Sequence, residues 1–276
     1  MKKAAKTAKT TTAAHRLVGV IHLPPLPGSP RCEAPLAKIA EVAAREASML
    51  AAHGYDAVVV ENFGDTPFFA GRVPAITVAS MAAVGAGIAR AGVDVCVNVL
   101  RNDGESALAI AVAIGAVAIR VNVLTGARVT DQGVIEGNAA ALFRERRVLA
   151  PLSARGRIDV WADVDVKHSA SLGAPRDLAV ETADLVKRAL ADAVLVTGEA
   201  TGASVVLARL AAVREASDGK PVLVASGATI ATLPALAKHA HGVIVGSALR
   251  AAGKAGAPLE EKRVRDFARA FRDAFG

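Results

Sequence analysis

The sequence predicts a closed (β/α)8 barrel of the TIM-barrel class, and three observations predict it. From Leu17 onward, short β-branched runs alternate with Ala- and Leu-rich segments of helical length. Strands that alternate with helices pair in parallel through right-handed crossovers, and eight such units in about 250 residues match the size of this barrel. No Gly-x-Gly-x-x-Gly follows the first run and no shift of composition marks a second domain, which disfavours a doubly wound open sheet.

In order, strands are expected at 17–23, 57–63, 95–100, 118–123, 159–166, 193–197, 222–225 and 242–245. Helices are expected near 35–53, 74–91, 105–114, 134–149, 177–190, 204–216, 232–239 and 259–275. Residues 17–276 read as one barrel domain. Residues 1–16 read as a disordered basic tail, because they lack the apolar centre of a secretory signal; their Lys, Thr and Ala content only weakly resembles a transit peptide.

Composition narrows the function. Of 276 residues, 53% are hydrophobic and 21% charged, which excludes a disordered chain. Aromatic residues make up only 3%, so the core must be aliphatic and recognition by ring stacking has little material. The net charge is +7, but Lys2, Lys3, Lys6, Lys9 and Arg16 carry five of the positives, leaving 28 basic against 26 acidic residues in the rest. That remainder lacks the basic excess of a nucleic-acid binder. Cys32 and Cys96 form no metal or redox spacing, which fits a reducing, cytoplasmic setting. The uncharged stretch 73–89 contains Pro74, Thr77, Ser80, Gly85 and Gly87 and is shorter than the ~20 apolar residues of a spanning helix, so no membrane insertion is expected. The same Ala/Gly-rich stretch suits either an ordinary barrel helix or a contact with a second copy in a homo-oligomer.

In such a barrel the C-terminal strand ends form the reactive face. Here they are polar: His22 ends the first run, Glu61 and Asn62 the second, Asn98 with Arg101, Asn102 and Asp103 the third, and Arg120 with Asn122 the fourth. In the fifth, Asp163, Asp165 and Lys167 alternate with Val164 and Val166, and a period of two turns the three ionisable groups toward the barrel interior. Buried ionisable groups need partners or altered pKa values. Two readings stay open: an ion-pair network that fills the barrel, or a site in which Lys167 and one aspartate move protons while the other aspartate holds the ammonium. A Schiff-base role for Lys167 is a further option.

The seventh and eighth runs end in Ser226-Gly227 and Gly246-Ser247, small residues whose backbone N–H groups can approach a phosphate, and Thr197, Gly198, Thr201 and Gly202 could extend that cradle. The proline-rich segment 23–28 suits a rim, and the polar loop 125–133, which carries Asp131, suits a lid. His15, His53, His239 and His241 fall on the tail or at helix and strand ends, whereas His22 and His168 fall on the reactive face. With Glu61, Asp163 and Asp165 these two could hold a divalent metal, although no spacing requires one and no cofactor is demanded.

The segments Gly19-Val20-Ile21-His22-Leu23-Pro24-Pro25-Leu26-Pro27-Gly28, Val60-Glu61-Asn62-Phe63-Gly64-Asp65, Asn98-Val99-Leu100-Arg101-Asn102-Asp103 and Arg120-Val121-Asn122-Val123 resemble the BtpA/SgcQ family. Thr130-Asp131-Gln132-Gly133, Ala162-Asp163-Val164-Asp165-Val166-Lys167-His168, Val196-Thr197-Gly198 and Val245-Gly246-Ser247 follow in that family's order, so the resemblance runs from 17 to about 270. It implies a TIM barrel of the ribulose-phosphate-binding type, with phosphate at Gly227, Gly246 and Ser247. The family was named for photosystem I biogenesis, many members come from non-photosynthetic organisms, and its associations with sugar metabolism imply a phosphorylated carbohydrate or nucleoside as ligand.

The combined expectation is an isomerase or lyase for a phosphorylated sugar-like metabolite. Lys167, Asp165, Asp163, Glu61, His22 and Arg120 would be catalytic. Asn62, Asn98, Arg101, Asn122, Asp131, His168, Thr197, Gly198, Ser226, Gly227, Gly246 and Ser247 would bind substrate. The alternative is a non-catalytic assembly factor for a membrane complex.

Overall fold

The computed structural model describes residues 15–198 and 207–276. Eight parallel strands close into a barrel: β1 (Arg16–His22), β2 (Ala57–Glu61), β3 (Asp94–Asn98), β4 (Ala118–Val121), β7 (Asp159–Val164), β9 (Ala193–Val196), β10 (Val222–Val224) and β11 (Gly242–Val245). Each falls inside or within a residue of an expected run. Arg16 pairs with Gly242, so the first strand starts at the last residue of the expected tail, one residue earlier than expected.

Alternation along each strand separates two layers. Ala57 and Val59 of β2, Cys96 of β3, Ala118 of β4 and Trp161 of β7 join Val18, Val20, Leu195, Leu223 and Ile244 in the barrel interior. Val58, Val60, Val97, Ile119, Val160, Ala162 and Val164 point outward to the helices. The lone tryptophan thus plugs a barrel otherwise filled by small and branched side chains.

The helices are α1 (Leu36–Ala52), α2 (Ala75–Ala89), α3 (Gly104–Ile114), α4 (Ala139–Leu149), α5 (Leu178–Ala183), α6 (Leu207–Ala216), α7 (Leu233–Leu236) and α8 (Glu261–Phe275). In α8, Val264, Phe267, Phe271 and Phe275 recur every three or four residues and are buried together, as an amphipathic helix requires. Helix α2 packs between α1 and α3, burying Met81, Val84 and Ile88. No helix among the described residues is long and apolar enough to cross a membrane.

One expectation about the elements fails and another is refined. The expected loop 125–133 and the start of the helix expected at 134 form instead a hairpin, β5 (Ala127–Thr130) and β6 (Gly133–Glu136), flanked by the short β8 (Ala170–Ser171). Gly126 and Gly133 take φ of +68° and +98°, which opens and turns the hairpin, and Ile135 buries its side chain beneath it. The helix expected at 177–190 is found, as an α-helix from Leu178 to Ala183 that widens into a π-helix over 184–188. Thr201, Gly202 and residues 1–14 of the tail lie outside the described residues.

Candidate active site

Strand register builds the site. His22 pairs with Glu61, Glu61 with Asn98, and Asn98 with Arg120, so four inward-facing polar side chains from β1 to β4 lie in one row at the C-terminal end of the barrel. Asp163, inward on β7, completes the arc. Its carboxylate accepts two hydrogen bonds from Arg120 Nη2, at 3.1 and 3.0 Å, and a third from Asn122 Nδ2 at 2.6 Å. Glu61 accepts from Asn98 Nδ2 at 3.2 Å and lies 3.5 Å from His22 Nε2 and 4.0 Å from Arg120 Nη1.

The electrostatics follow from burial. Burial pushes the His22 pKa down to about 4 against the pull of Glu61, so the imidazole is neutral near pH 7. Burial also penalises the Glu61 carboxylate, yet His22, Arg120, Lys167 and the Asn98 hydrogen bond hold its pKa below the usual range. Arg120 is held charged by Asp163 and Glu61 in spite of burial. Lys167 is depressed by burial first and by Arg120 second, with Glu61 and Asp163 offsetting part of the effect. A lysine with a lowered pKa is a usable base or nucleophile.

A cavity of about 840 Å³ lies over this row. Its floor is His22, Glu61, Asn98, Arg120, Asn122 and Lys167; Leu23, Pro24, Pro25, Phe63 and the Lys254–Ala257 loop form its rim, and Arg101 and His168 stand at its side. A smaller recess of about 40 Å³ is walled by Ser226, Gly227, Gly246 and Ser247 and shares His22, Glu61, Arg120 and Lys167 with the large cavity. A Cβ on Gly246 would stand 2.8 Å from His22 Cε1, so glycine is what lets this loop approach the imidazole.

The structure does not gather every expected residue. Strand β7 ends at Val164, and Asp165 takes φ of +50°, which breaks the alternation that would have aimed it inward beside Lys167. Asp165 instead pairs with Arg128 at 2.8 Å and with Arg209, away from the large cavity. Asn62 is buried but serves the backbone, accepting from Leu100 N at 2.7 Å. Thr197 Oγ1 accepts from Lys167 N at 3.2 Å, and neither Thr197 nor the buried Gly198 lines the two cavities. Asp131 is exposed at the hairpin tip. Because Asp163 is taken by Arg120 and Asn122 and Asp165 turns away, the metal set imagined from His22, Glu61, His168 and the two aspartates does not assemble; among the described residues no three His, Cys, Asp or Glu side chains group to hold an ion.

Sequence reasoning missed the rim residues of the Lys254–Ala257 loop. Its anchor is Arg250, fully buried, which donates to Ala257 O at 2.5 Å, to Val20 O at 2.8 Å and to Glu46 at 3.0 Å. The clustering of Gly253, Gly256 and Pro258 just past the eighth strand was the available signal for a shaped loop.

The chain matches the model of the BtpA family over residues 13–273, and it belongs to that family. It is 43% identical over 252 residues to the Photosystem I biogenesis protein BtpA of Synechocystis sp., covering 91% of this chain and 86% of that protein. An uncharacterized protein of Thermococcus kodakarensis is 44% identical, with 90% and 92% covered, and an uncharacterized mitochondrial protein of Caenorhabditis elegans is 31% identical, with 90% of each covered. Among solved structures, N-(5'-phosphoribosyl)anthranilate isomerase from Pyrococcus furiosus superposes with a TM-score of 0.57 at 16% identity, covering 94% of this chain and all of that one. (S)-3-O-geranylgeranylglyceryl phosphate synthase from Thermoplasma acidophilum, in complex with sn-glycerol-1-phosphate, does so at 0.56 and 17%, covering 94% of both. At these identities the likeness to solved structures is one of fold.

Proposed function

We propose that this BtpA-family barrel is an enzyme, an isomerase or lyase acting on a phosphorylated sugar-like metabolite. The observation that carries the reading is the position of Lys167, whose side chain borders both the large cavity and the glycine-walled recess after β10 and β11. A substrate phosphate over Gly227, Gly246 and Ser247 would place its carbon skeleton against that amine. Fold neighbours that handle phosphorylated substrates support the recess as the phosphate position, in a fold that commonly binds phosphate there.

In this reading Lys167, depressed by burial, takes or returns a proton at a substrate carbon or hydroxyl. Arg120, fixed by Asp163, stabilises the negative charge that develops on substrate oxygen, and Asn98 and Asn122 orient hydroxyls. Glu61 holds His22 in place, and the neutral imidazole is available to hand on a proton. Asp163 is a positioning residue for Arg120, because its oxygens are already engaged.

The printed name of the Synechocystis relative supports a second reading, assembly of a membrane complex. A charged row under a large cavity is not what a scaffold needs, and a relative in a nematode does not fit a photosystem role.

Thermal unfolding against a panel of sugar phosphates, nucleotides and plain phosphate tests the proposal. A ligand at about 100 times its Kd adds about 2.7 kcal/mol of stability. One sugar phosphate is expected to raise Tm, and Ser247→Asp, which sets a negative charge in the recess, to abolish the rise. No shift with any compound, phosphate included, would sink the enzyme reading and favour the assembly role.

A further inference from the structure

We propose that the substrate carries a second anionic group, a carboxylate, and that Arg101 is its anchor, across the barrel mouth from the phosphate recess; this rests on the reading above. Arg101 is only 7% exposed, lines the large cavity, and donates from Nη2 to Lys167 O at 2.8 Å. Among the described residues no carboxylate lies within ion-pair distance of its guanidinium. Arg120, the other guanidinium lining the cavity floor, is paired by contrast, with Asp163 at 3.0 Å and Glu61 at 4.0 Å. Burial lowers the Arg101 pKa, and Asp163, Asp131 and Glu61 offset this only from beyond ion-pair distance, so a partner that arrives with the substrate would complete its neutralisation.

The loop that presents Arg101 is fixed on both sides. Asn62 bonds the Leu100 backbone at both N–H (2.7 Å) and C=O (3.4 Å), and Asn102 does the same for Val123, at 2.8 and 2.9 Å. Asp103 caps α3 through Ser106 N and also accepts from Val73 N. These three side chains are therefore engaged with backbone, and Arg101 alone of Arg101-Asn102-Asp103 lines the large cavity. This is a preorganised fork, which carboxylates and phosphates both match bidentately; its single positive charge is balanced by the single negative charge of a carboxylate, which makes the carboxylate the assignment to test.

Barrel order sets the geometry. Strands run round the barrel as β1, β2, β3, β4, β7, β9, β10, β11, so the end of β3, which carries Arg101, lies opposite the end of β10, which carries Ser226 and Gly227. The Arg101 side chain reaches from there to donate to the Lys167 backbone carbonyl at 2.8 Å, while Lys167 also lines the recess, so the amine is close to both anchors. A substrate anchored at both ends would stretch its reacting carbons over the amine.

Isothermal titration of the full chain with a chain-length series of α,ω-phosphonoalkanoates, each paired with the alkylphosphonate, alkanoate and alkane-bisphosphonate of equal length, tests this. At the best length the phosphonoalkanoate should bind about 10- to 100-fold tighter than the alkylphosphonate, the worth of a charge-assisted hydrogen-bonded pair. Arg101→Gln should reduce that ratio to near one while the unliganded Tm stays level or rises, since a buried charge has been removed. Ser247→Asp should weaken every phosphonate and keep the preference. If alkylphosphonates bind but the carboxylate adds nothing, the Arg101 proposal is overturned and the phosphate recess stands. Bisphosphonates preferred in an Arg101-dependent way would overturn the carboxylate assignment. Alkanoates bound through Arg101 with no phosphonate effect would overturn the phosphate reading and leave the anchor standing, and no binding by any probe would overturn both.

Discussion

Asp163 and Asp165 are two residues apart, and each sits in a cluster of charge, buried around Asp163 and partly solvated around Asp165. Around Asp163, Arg120, Asn122, Asn98, Glu61 and His22 share one row beneath a large cavity, and several of their atoms, Arg120 Nε, Asn122 Oδ1, Asn98 Oδ1 and His22 Nδ1, have no hydrogen-bond partner among the described residues. Around Asp165, Arg128 bonds Asp165 at 2.8 Å, Ser171 at 3.1 Å and Glu181 at 2.5 Å, while Arg209 takes the other Asp165 oxygen. That second set ties the β5–β6 hairpin to α5 and α6. Ion pairing alone does not mark a reactive site; incomplete pairing beside a cavity does.

The sharpest test of the contrast is catalytic. Lys167→Met should lower turnover of the stabilising sugar phosphate by about 10²- to 10⁴-fold, the usual worth of a positioned acid–base group. Because burial lowers the Lys167 pKa, the wild-type rate should rise with pH along a limb lying below the ordinary lysine value near 10.4, and the variant should lose it. A pH profile unchanged by the substitution would remove Lys167 from the chemistry.

Stability comes next. Asp163→Ala leaves Arg120, which is 5% exposed, with Glu61 at 4.0 Å as its one counter-charge among the described residues and should cost about 3 kcal/mol in urea unfolding. Pairing the change with Arg120→Met should recover most of the loss, because the stranded charge then disappears too. A double variant no more stable than the single one would mean that packing, not charge, carries the effect.

Fold and site were unequally legible in the sequence, and period two explains both the success and the failure. Alternation in Ala57-Val58-Val59-Val60-Glu61 assigns each residue a face, and parallel register then aligns His22, Glu61, Asn98 and Arg120 without further information. The same rule, carried one residue too far, aimed Asp165 inward; a strand that ends at Val164 and a φ of +50° beyond it are set by tertiary contacts with Arg128 and Arg209, which are distant in sequence. Asn62 misled for a similar reason. Nothing local distinguishes an amide that binds substrate from one that clamps Leu100 from 38 residues away. The hairpin was readable in retrospect, since Val129 and Thr130 precede a Gly133 turn and Val134 and Ile135 follow it, yet Ala-rich helical periodicity nearby masked it.

His22 gives a smaller, pH-dependent difference between the clusters. The unfolded imidazole takes a proton near 6.5, whereas the buried one resists until about 4. At higher pH both states are neutral and His22 contributes nothing; as pH falls through that window only the unfolded state is protonated, so stability drops by up to about 3 kcal/mol. Chemical denaturation from pH 7 to 4.5 should show this slope flattened in His22→Gln. Equal slopes would place the imidazole in a more solvated setting than the row of β1 to β4 provides.

The smallest expected effect belongs to Asp165, and it separates the clusters most cleanly. Its side chain is 34% exposed, and Glu181 continues to hold Arg128 when the Asp165 charge is removed. Asparagine keeps the shape and one acceptor and tolerates the positive φ of this position. Asp165→Asn should therefore cost no more than about 1 kcal/mol, as partly solvated ion pairs do, and leave turnover within about threefold of wild type. If turnover instead fell as far as in Lys167→Met, the hairpin and its ion pairs would have to close over the substrate during the reaction, and the boundary drawn at Val164 between reactive and structural charge would be in the wrong place.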